Sequence, residues 1–167
     1  APVCASGDPP TLPSPPEYPG CSIETISSGI PVAGTLDQTD CTAPDWASSP
    51  ADLYRVDLAA GDYVRITHKG TTLSDPYLIL VDPAGTVVAT DNDGGGDLNA
   101  AIDGFVLAAG TYTIQATSFY GQLGDYTLTL TVGLPTCSST PIFLGVTSLR
   151  GELSTADCEA PHRAGSY

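Results

Sequence analysis

The sequence has no methionine, one tryptophan, two histidines and only five lysines and arginines among its 167 residues. So few cations exclude a nucleic-acid partner, because a phosphate backbone is held by a basic face. With 19 acidic residues the formal net charge is −14, which an anionic membrane surface would repel. No apolar run approaches the ~20 residues of a membrane-spanning helix, so no membrane insertion is expected. The opening Ala1-Pro2-Val3-Cys4 has neither a charged start nor an apolar run, and no signal peptide is read there. Catalytic signatures are also missing. There is no Gly-x-Ser-x-Gly elbow, no cysteine has a histidine beside it, and no Cys-x-x-Cys spacing offers a zinc site. His68 ends a strand-like run and is expected on an exposed sheet face, while His162 lies in an irregular tail. No catalytic residue is assigned, and the chain is not expected to be an enzyme.

What remains is 18 glycines, 15 prolines and short runs rich in Thr, Val, Ile and Tyr. Proline crowds residues 1–20 (Pro2, Pro9, Pro10, Pro13, Pro15, Pro16, Pro19), which predicts an extended, polyproline-like arm or linker. From about residue 30 to 132, strand-like runs alternate with turns: Leu53–Leu58, Tyr63–His68, Tyr77–Val81, Val87–Thr90, Phe105–Leu107, Tyr112–Thr117 and Tyr126–Val132. Short strands at regular spacing predict an all-β chain, a jelly-roll-like antiparallel β-sandwich over residues 21–133.

The tail, 134–167, echoes the start of that domain. Gly34-Thr35-Leu36 and Asp40-Cys41-Thr42-Ala43-Pro44 return 117 residues later as Gly151-Glu152-Leu153 and Asp157-Cys158-Glu159-Ala160-Pro161, matching at six of the eleven positions from 34 to 44. Such a period indicates tandem domains, with the second copy reaching only its first strand. A lone strand with apolar residues Ile142, Phe143, Leu144, Val146 and Leu149 needs a partner surface. The chain is then a piece of a longer tandem protein, or its tail folds back, or the tail completes a neighbouring copy by β-strand addition.

Five cysteines, Cys4, Cys21, Cys41, Cys137 and Cys158, suit disulfides in an oxidising, extracellular compartment. The echo makes Cys21 with Cys41 and Cys137 with Cys158 equivalent pairs, leaving Cys4 for another chain; alternatively the tail cysteines bridge to the next subunit.

The run from Asp52-Leu53-Tyr54-Arg55-Val56 through Ala59-Ala60-Gly61-Asp62-Tyr63, Asp75–Gly85, Asp91-Asn92-Asp93 with Gly94–Gly96, and Ala108–Ile114 to Gly124-Asp125-Tyr126-Thr127-Leu128 resembles the bacterial pre-peptidase C-terminal domain family. The resemblance implies a jelly-roll-like sandwich, often stabilised by calcium, acting in surface binding, secretion or assembly. In the residues themselves, Asp91, Asp93 and Asp97 stand at positions one, three and seven of a glycine loop, with Asp75 as an added ligand. That pattern suits Ca2+, which takes six to eight oxygens, or else an acidic hairpin tip. A second acidic set, Asp37, Asp40 and Asp45, reads as a loop beside a disulfide. Phe119-Tyr120-Gly121 is the best exposed contact for carbohydrate or protein.

Two functions follow. One is a non-enzymatic extracellular structural protein, a filament or surface-assembly subunit joined head to tail to copies of itself by strand donation and stiffened by disulfides and calcium. The other is an accessory module of a larger exported protein such as a protease, binding polysaccharide or fibrous protein.

Overall fold

The computed structural model describes residues 14–133. Ten strands form: β1 (Ile23–Thr25), β2 (Val32–Leu36), β3 (Cys41–Thr42), β4 (Pro50–Leu58), β5 (Tyr63–Gly70), β6 (Pro76–Val81), β7 (Val87–Asp91), β8 (Ala100–Phe105), β9 (Gly110–Ser118) and β10 (Gly124–Gly133). One sheet runs β1-β4-β9-β6-β7, with β3 also on the edge of β4; the other runs β2-β10-β5-β8. Every pairing is antiparallel except that of β1 with β4, which is parallel through Ile23↔Leu53 to Thr25↔Arg55. The two sheets stay open. No closed jelly-roll barrel forms among the described residues, because the free edges β7 and β8 do not pair with one another.

The period-2 alternation of the strands builds the core between the sheets. Tyr54, Val56 and Leu58 of β4, Leu78 and Leu80 of β6, and Tyr112, Ile114 and Ala116 of β9 face Leu36, Val64, Ile66, Ile102, Tyr126, Leu128 and Leu130. Outward residues of the second sheet (Arg65, Thr127, Thr129, Thr131) lie toward solvent, whereas Thr113, Gln115 and Thr117 of β9 are fully buried. Part of their cover comes from the end of the proline-rich stretch, which packs on the domain instead of leaving it as a free linker. Arg55 donates to the Pro16 carbonyl at 2.7 Å, and Tyr18 joins a small outer cluster with Ala43, Ala51, Leu53, Ile23 and Trp46. Cys21 and Cys41 are bonded at 2.02 Å within this cluster, pinning the segment just before β1 to β3.

Strand direction sorts the connections into two ends. Residues 26–31, 59–62, 82–86 and 106–109 form one, called here the turn end; 37–49, 71–75, 92–99 and 119–123 form the other, the loop end. Cys4, Cys137 and Cys158 and the tail strand Ile142, Phe143, Leu144, Val146 and Leu149 lie outside the described residues.

Candidate functional site

The loop end stands on a buried polar network. Tyr126 donates to Asp52 Oδ2 at 2.5 Å, and with that proton committed Tyr54 donates to the Tyr126 hydroxyl at 2.8 Å. Burial lifts the Tyr54 phenol to about 12 and raises Tyr126 further. Gly34, opposite Tyr126 in the β2–β10 register, lets this phenol through: a Cβ there would lie 2.3 Å from the Tyr126 ring. His68, expected on an exposed face, is instead completely buried, its ring edge-on to Tyr126 at 4.5 Å. Its Nδ1 donates to the Tyr77 carbonyl at 3.3 Å and its Nε2 has no partner. Burial drops its pKa to about 4, so the ring is neutral at ordinary pH. None of these groups forms a nucleophile–base pair.

Above this floor, the four candidate cation ligands part company. Asp91 is used by its own turn, its Oδ2 accepting from Gly94 and Ala101, each at 2.8 Å. A side chain at Gly94 would strike that carboxylate, since a Cβ would lie 2.6 Å from Asp91 Oδ1. Asp97 sits exposed at the turn tip, where it and Leu98 take left-handed backbone angles of 52° and 60°. Asp75 and Asp93 are linked only through charge: burial raises the Asp75 carboxyl above its usual range, and the charge of Asp93 raises it further. Asp75 Oδ1 is buried without a hydrogen-bond partner, and so is Asn92 Oδ1, a group that sequence reasoning missed. Asn92 was within the quoted Asp91-Asn92-Asp93 motif, but an amide in an acidic turn carries no signal of its own.

Two carboxylates and an amide oxygen are of the donor type that a hard cation takes. They supply fewer charges than the expected set, and among the described residues no three His, Cys, Asp or Glu side chains converge on one point. A cation here would rely on Asp75, Asp93 and Asn92, with carbonyls and water completing its shell.

The same aspartate anchors the aromatic loop. The Asp75 carbonyl accepts from the Phe119 amide at 3.0 Å, and the neighbouring Ser74 hydroxyl donates to Gln122. Phe119 stacks on Trp46 at 5.6 Å, and Trp46 donates through Nε1 to the Phe119 carbonyl at 3.2 Å. Tyr77 fills in beside both rings at 5.0 and 5.7 Å. Phe119 is therefore part of the packing, while Tyr120, edge-on to it at 4.6 Å, is 74% exposed. Asp45, from the second acidic set, is held by reciprocal bonds with the Gln115 side chain, at 2.6 Å from Nε2 and 3.3 Å from its own amide to Oε1.

An open β-sandwich with an acidic, aromatic loop end is the class of domain this geometry defines. A family model for the bacterial pre-peptidase C-terminal domain matches residues 50–118, from β4 through β9. The solved pre-peptidase C-terminal domain of a collagenase from Bacillus anthracis is similar in structure, with a TM-score of 0.53 and 13% identity over 68% of this chain and 99% of that one. PliG of Aeromonas hydrophila, a periplasmic inhibitor of g-type lysozyme, is similar with a TM-score of 0.50 and 13% identity over 68% of this chain and 97% of that one. No curated protein sequence matches the chain. At such identities the likeness establishes the fold.

Proposed function

We propose that this chain is a non-catalytic extracellular binding module, an accessory domain of an exported protein that meets polysaccharide or fibrous protein through its loop end. The observation that carries this reading is that one residue of that end joins both features: Asp75 Oδ1 is buried without a partner and its carboxyl feels the charge of Asp93, while its carbonyl accepts from the amide of Phe119, next to the exposed Tyr120. A calcium ion bound by Asp75, Asn92 and Asp93 would offset the mutual repulsion of the two carboxylates and hold the Tyr120 platform in place. The disulfide of Cys21 with Cys41 and the similarity to a domain of a collagenase and to a periplasmic inhibitor support an extracellular setting.

Filament assembly by tail donation has weaker support. The tail's Gly151-Glu152-Leu153 echoes Gly34-Thr35-Leu36 of β2, yet β10 is already flanked by the chain's own β2 and β5. The sandwich therefore leaves no gap where that echo would insert, and strand donation would have to use a free edge.

Co-sedimentation of the full chain with insoluble cellulose, chitin and collagen fibrils, in calcium and in chelator, tests the module reading. Retention on at least one support, reduced about fivefold or more by Tyr120→Ser, is expected, since exposed aromatic anchors dominate such contacts. Failure to bind any support, together with calcium-independent polymers lost on deleting 137–167, would replace it with the filament reading.

A further inference from the structure

The segments that build the loop end fasten to the last residues of β5. From Gly70 the chain crosses from the second sheet to the first through 71–75 and enters β6. His68 ties the two sides of that crossover together, because its Nδ1 donates to the carbonyl of Tyr77, the second residue of β6. The Tyr77 ring packs on Trp46 and Phe119, and the Asp75 carbonyl takes the Phe119 amide. Gly70 donates to Asn99 Oδ1 at 3.0 Å, which fastens the 92–99 segment to the same strand end. Within the crossover the amides of Thr71, Thr72 and Leu73 are all directed at the Asp125 carbonyl, at 2.8, 3.1 and 3.1 Å.

This fastening suits an uncharged imidazole. His68 is fully buried between the sheets. On the β10 side it meets the edge of Tyr126, whose hydroxyl is spent on Asp52 and accepts from Tyr54, both of β4. On the β6 side it meets the Tyr77 carbonyl, and its register partners on β8 and β10 are the apolar Ala100 and Leu128. In the crossover the titratable group is Asp75, whose carboxyl burial and the charge of Asp93 raise. None of these groups gives Nε2 an acceptor, so a second proton would place a charged donor in a buried position with no partner among the described residues. Burial accordingly lowers the His68 pKa to about 4, opposed only by the Tyr77 carbonyl.

We propose that His68 is an acid-released clasp: neutral, it holds the loop end shut, and charged, it lets the 71–75 crossover and the segments fastened beside it open while the turn end stays folded. The turn end is closed by bonds of its own, Gly61 donating to the Val106 carbonyl and Val106 to that of Asp62, each at 2.8 Å. Asp75 and Asp52 titrate in the opposite sense. Their carboxyls are raised in the folded chain, so acid protonates them in place and favours the closed form. As regulation of the contact face, the clasp rests on the reading of the loop end given above: acid favours a form in which Asp75 and the Phe119–Tyr120 loop part.

The test is amide hydrogen exchange of the full chain at pH 7.5 and 4.5, corrected for the intrinsic pH dependence of exchange. Opening read at Thr71, Thr72, Leu73 and Phe119 should increase roughly 70-fold between the two, as a pKa of 6.5 when open and about 4 when closed requires. At pH 4.5 these amides should exchange at least about tenfold faster than those of Gly61 and Val106, the mark of a local opening. His68→Leu should abolish the acid response, and so should His68→Gln, which stays uncharged and keeps an N–H donor. In both, acid should leave the loop end as closed as at pH 7.5 or slightly tighter, through Asp75. The inference is overturned if the loop-end amides keep their protection at pH 4.5, if they exchange no faster than Gly61 and Val106, or if the variants open with acid as the parent does. Co-sedimentation with cellulose, chitin and collagen fibrils at pH 7.5 separates the two readings. Acid opening in a chain retained on no support removes the accessory-module reading and leaves the clasp standing; retention without acid opening does the reverse.

Discussion

The two ends of the sandwich are furnished with the same residue type and use it differently. At the turn end each aspartate closes local structure. Asp62 accepts from the Ala59 amide at 2.8 Å, Asp82 accepts from Ala84 and Thr86 at 2.9 Å each, Asp57 accepts from Thr111, and Asp103 pairs with Arg65. At the loop end Asp91 and Asp37 do the same, Asp37 by taking the Thr39 amide and hydroxyl. Beside them, however, Asp75 Oδ1, Asn92 Oδ1 and Ser49 Oγ are buried with nothing to bind. Among the described residues, the buried loop oxygens without partners all belong to that one end. Turn chemistry thus accounts for the aspartates of one end, whereas at the other it leaves Asp75, Asn92 and Ser49 each with a buried oxygen that no group of the chain satisfies.

That contrast can be broken at several points. The largest effect is expected from the disulfide that braces β3 and the segment just before β1 beside the loop end. Cys21→Ala/Cys41→Ala opens a closure of 20 residues in sequence and should lower unfolding free energy by about 3 kcal/mol in urea titrations. A loss under about 1 kcal/mol would mean that neighbouring packing already holds the segment.

Acid should weaken the floor of the loop end by a similar or slightly smaller amount. His68 has a folded pKa near 4 against an ordinary 6.5, so the unfolded chain takes up the proton first. The stability it safeguards is whole above about pH 6.5 and is lost progressively down to about pH 4, by up to about 3 kcal/mol. Urea midpoints at pH 7.5 and 4.5 should show this drop, and His68→Leu should remove most of it. An unchanged slope in the variant would assign the acid sensitivity elsewhere.

Next in size is a reversal at Asp75. Without calcium its carboxylate is buried and feels the charge of Asp93, so Asp75→Asn should be as stable as the parent or more so. With calcium at a hundredfold excess over its dissociation constant, the parent alone should gain about 2.7 kcal/mol. Thermal midpoints of both chains in calcium and in chelator check the crossing. The smallest effect belongs to the turn end, where Asp82→Ala removes the acceptor of two amides and should cost about 1 kcal/mol, unaffected by calcium.

Much of this architecture was legible. The alternating runs at 53–58, 63–68, 112–117 and 126–132 lie within β4, β5, β9 and β10, and the continuous run at 77–81 lies within β6, because each carries a strong period-2 or fully buried pattern. The run read at Phe105–Leu107 belongs mostly to the turn after β8, whose Ala100–Phe105 has too few β-branched residues to stand out. β1 and β3 are three and two residues long and exist only because β4 offers its edge, which no local pattern announces. His68 was readable and misread: it follows Val64 and Ile66 at a spacing of two, so the same alternation that defines β5 points it inward. The candidate site was half visible. Asp93 stood out in the glycine loop and Asp75 as an added ligand before a strand, but which oxygens end without partners depends on loops that are distant in sequence, and Ser49 and Asn92 give no warning.

The central claim is that the two ends differ in what they can bind. The most direct measurement is a map of backbone amide shifts across the full chain on adding calcium. The account predicts saturable shifts confined to 71–75, 92–99 and the 119–123 loop that Asp75 anchors. Shifts centred on 57–62 and 82–86, or none at all, would contradict it.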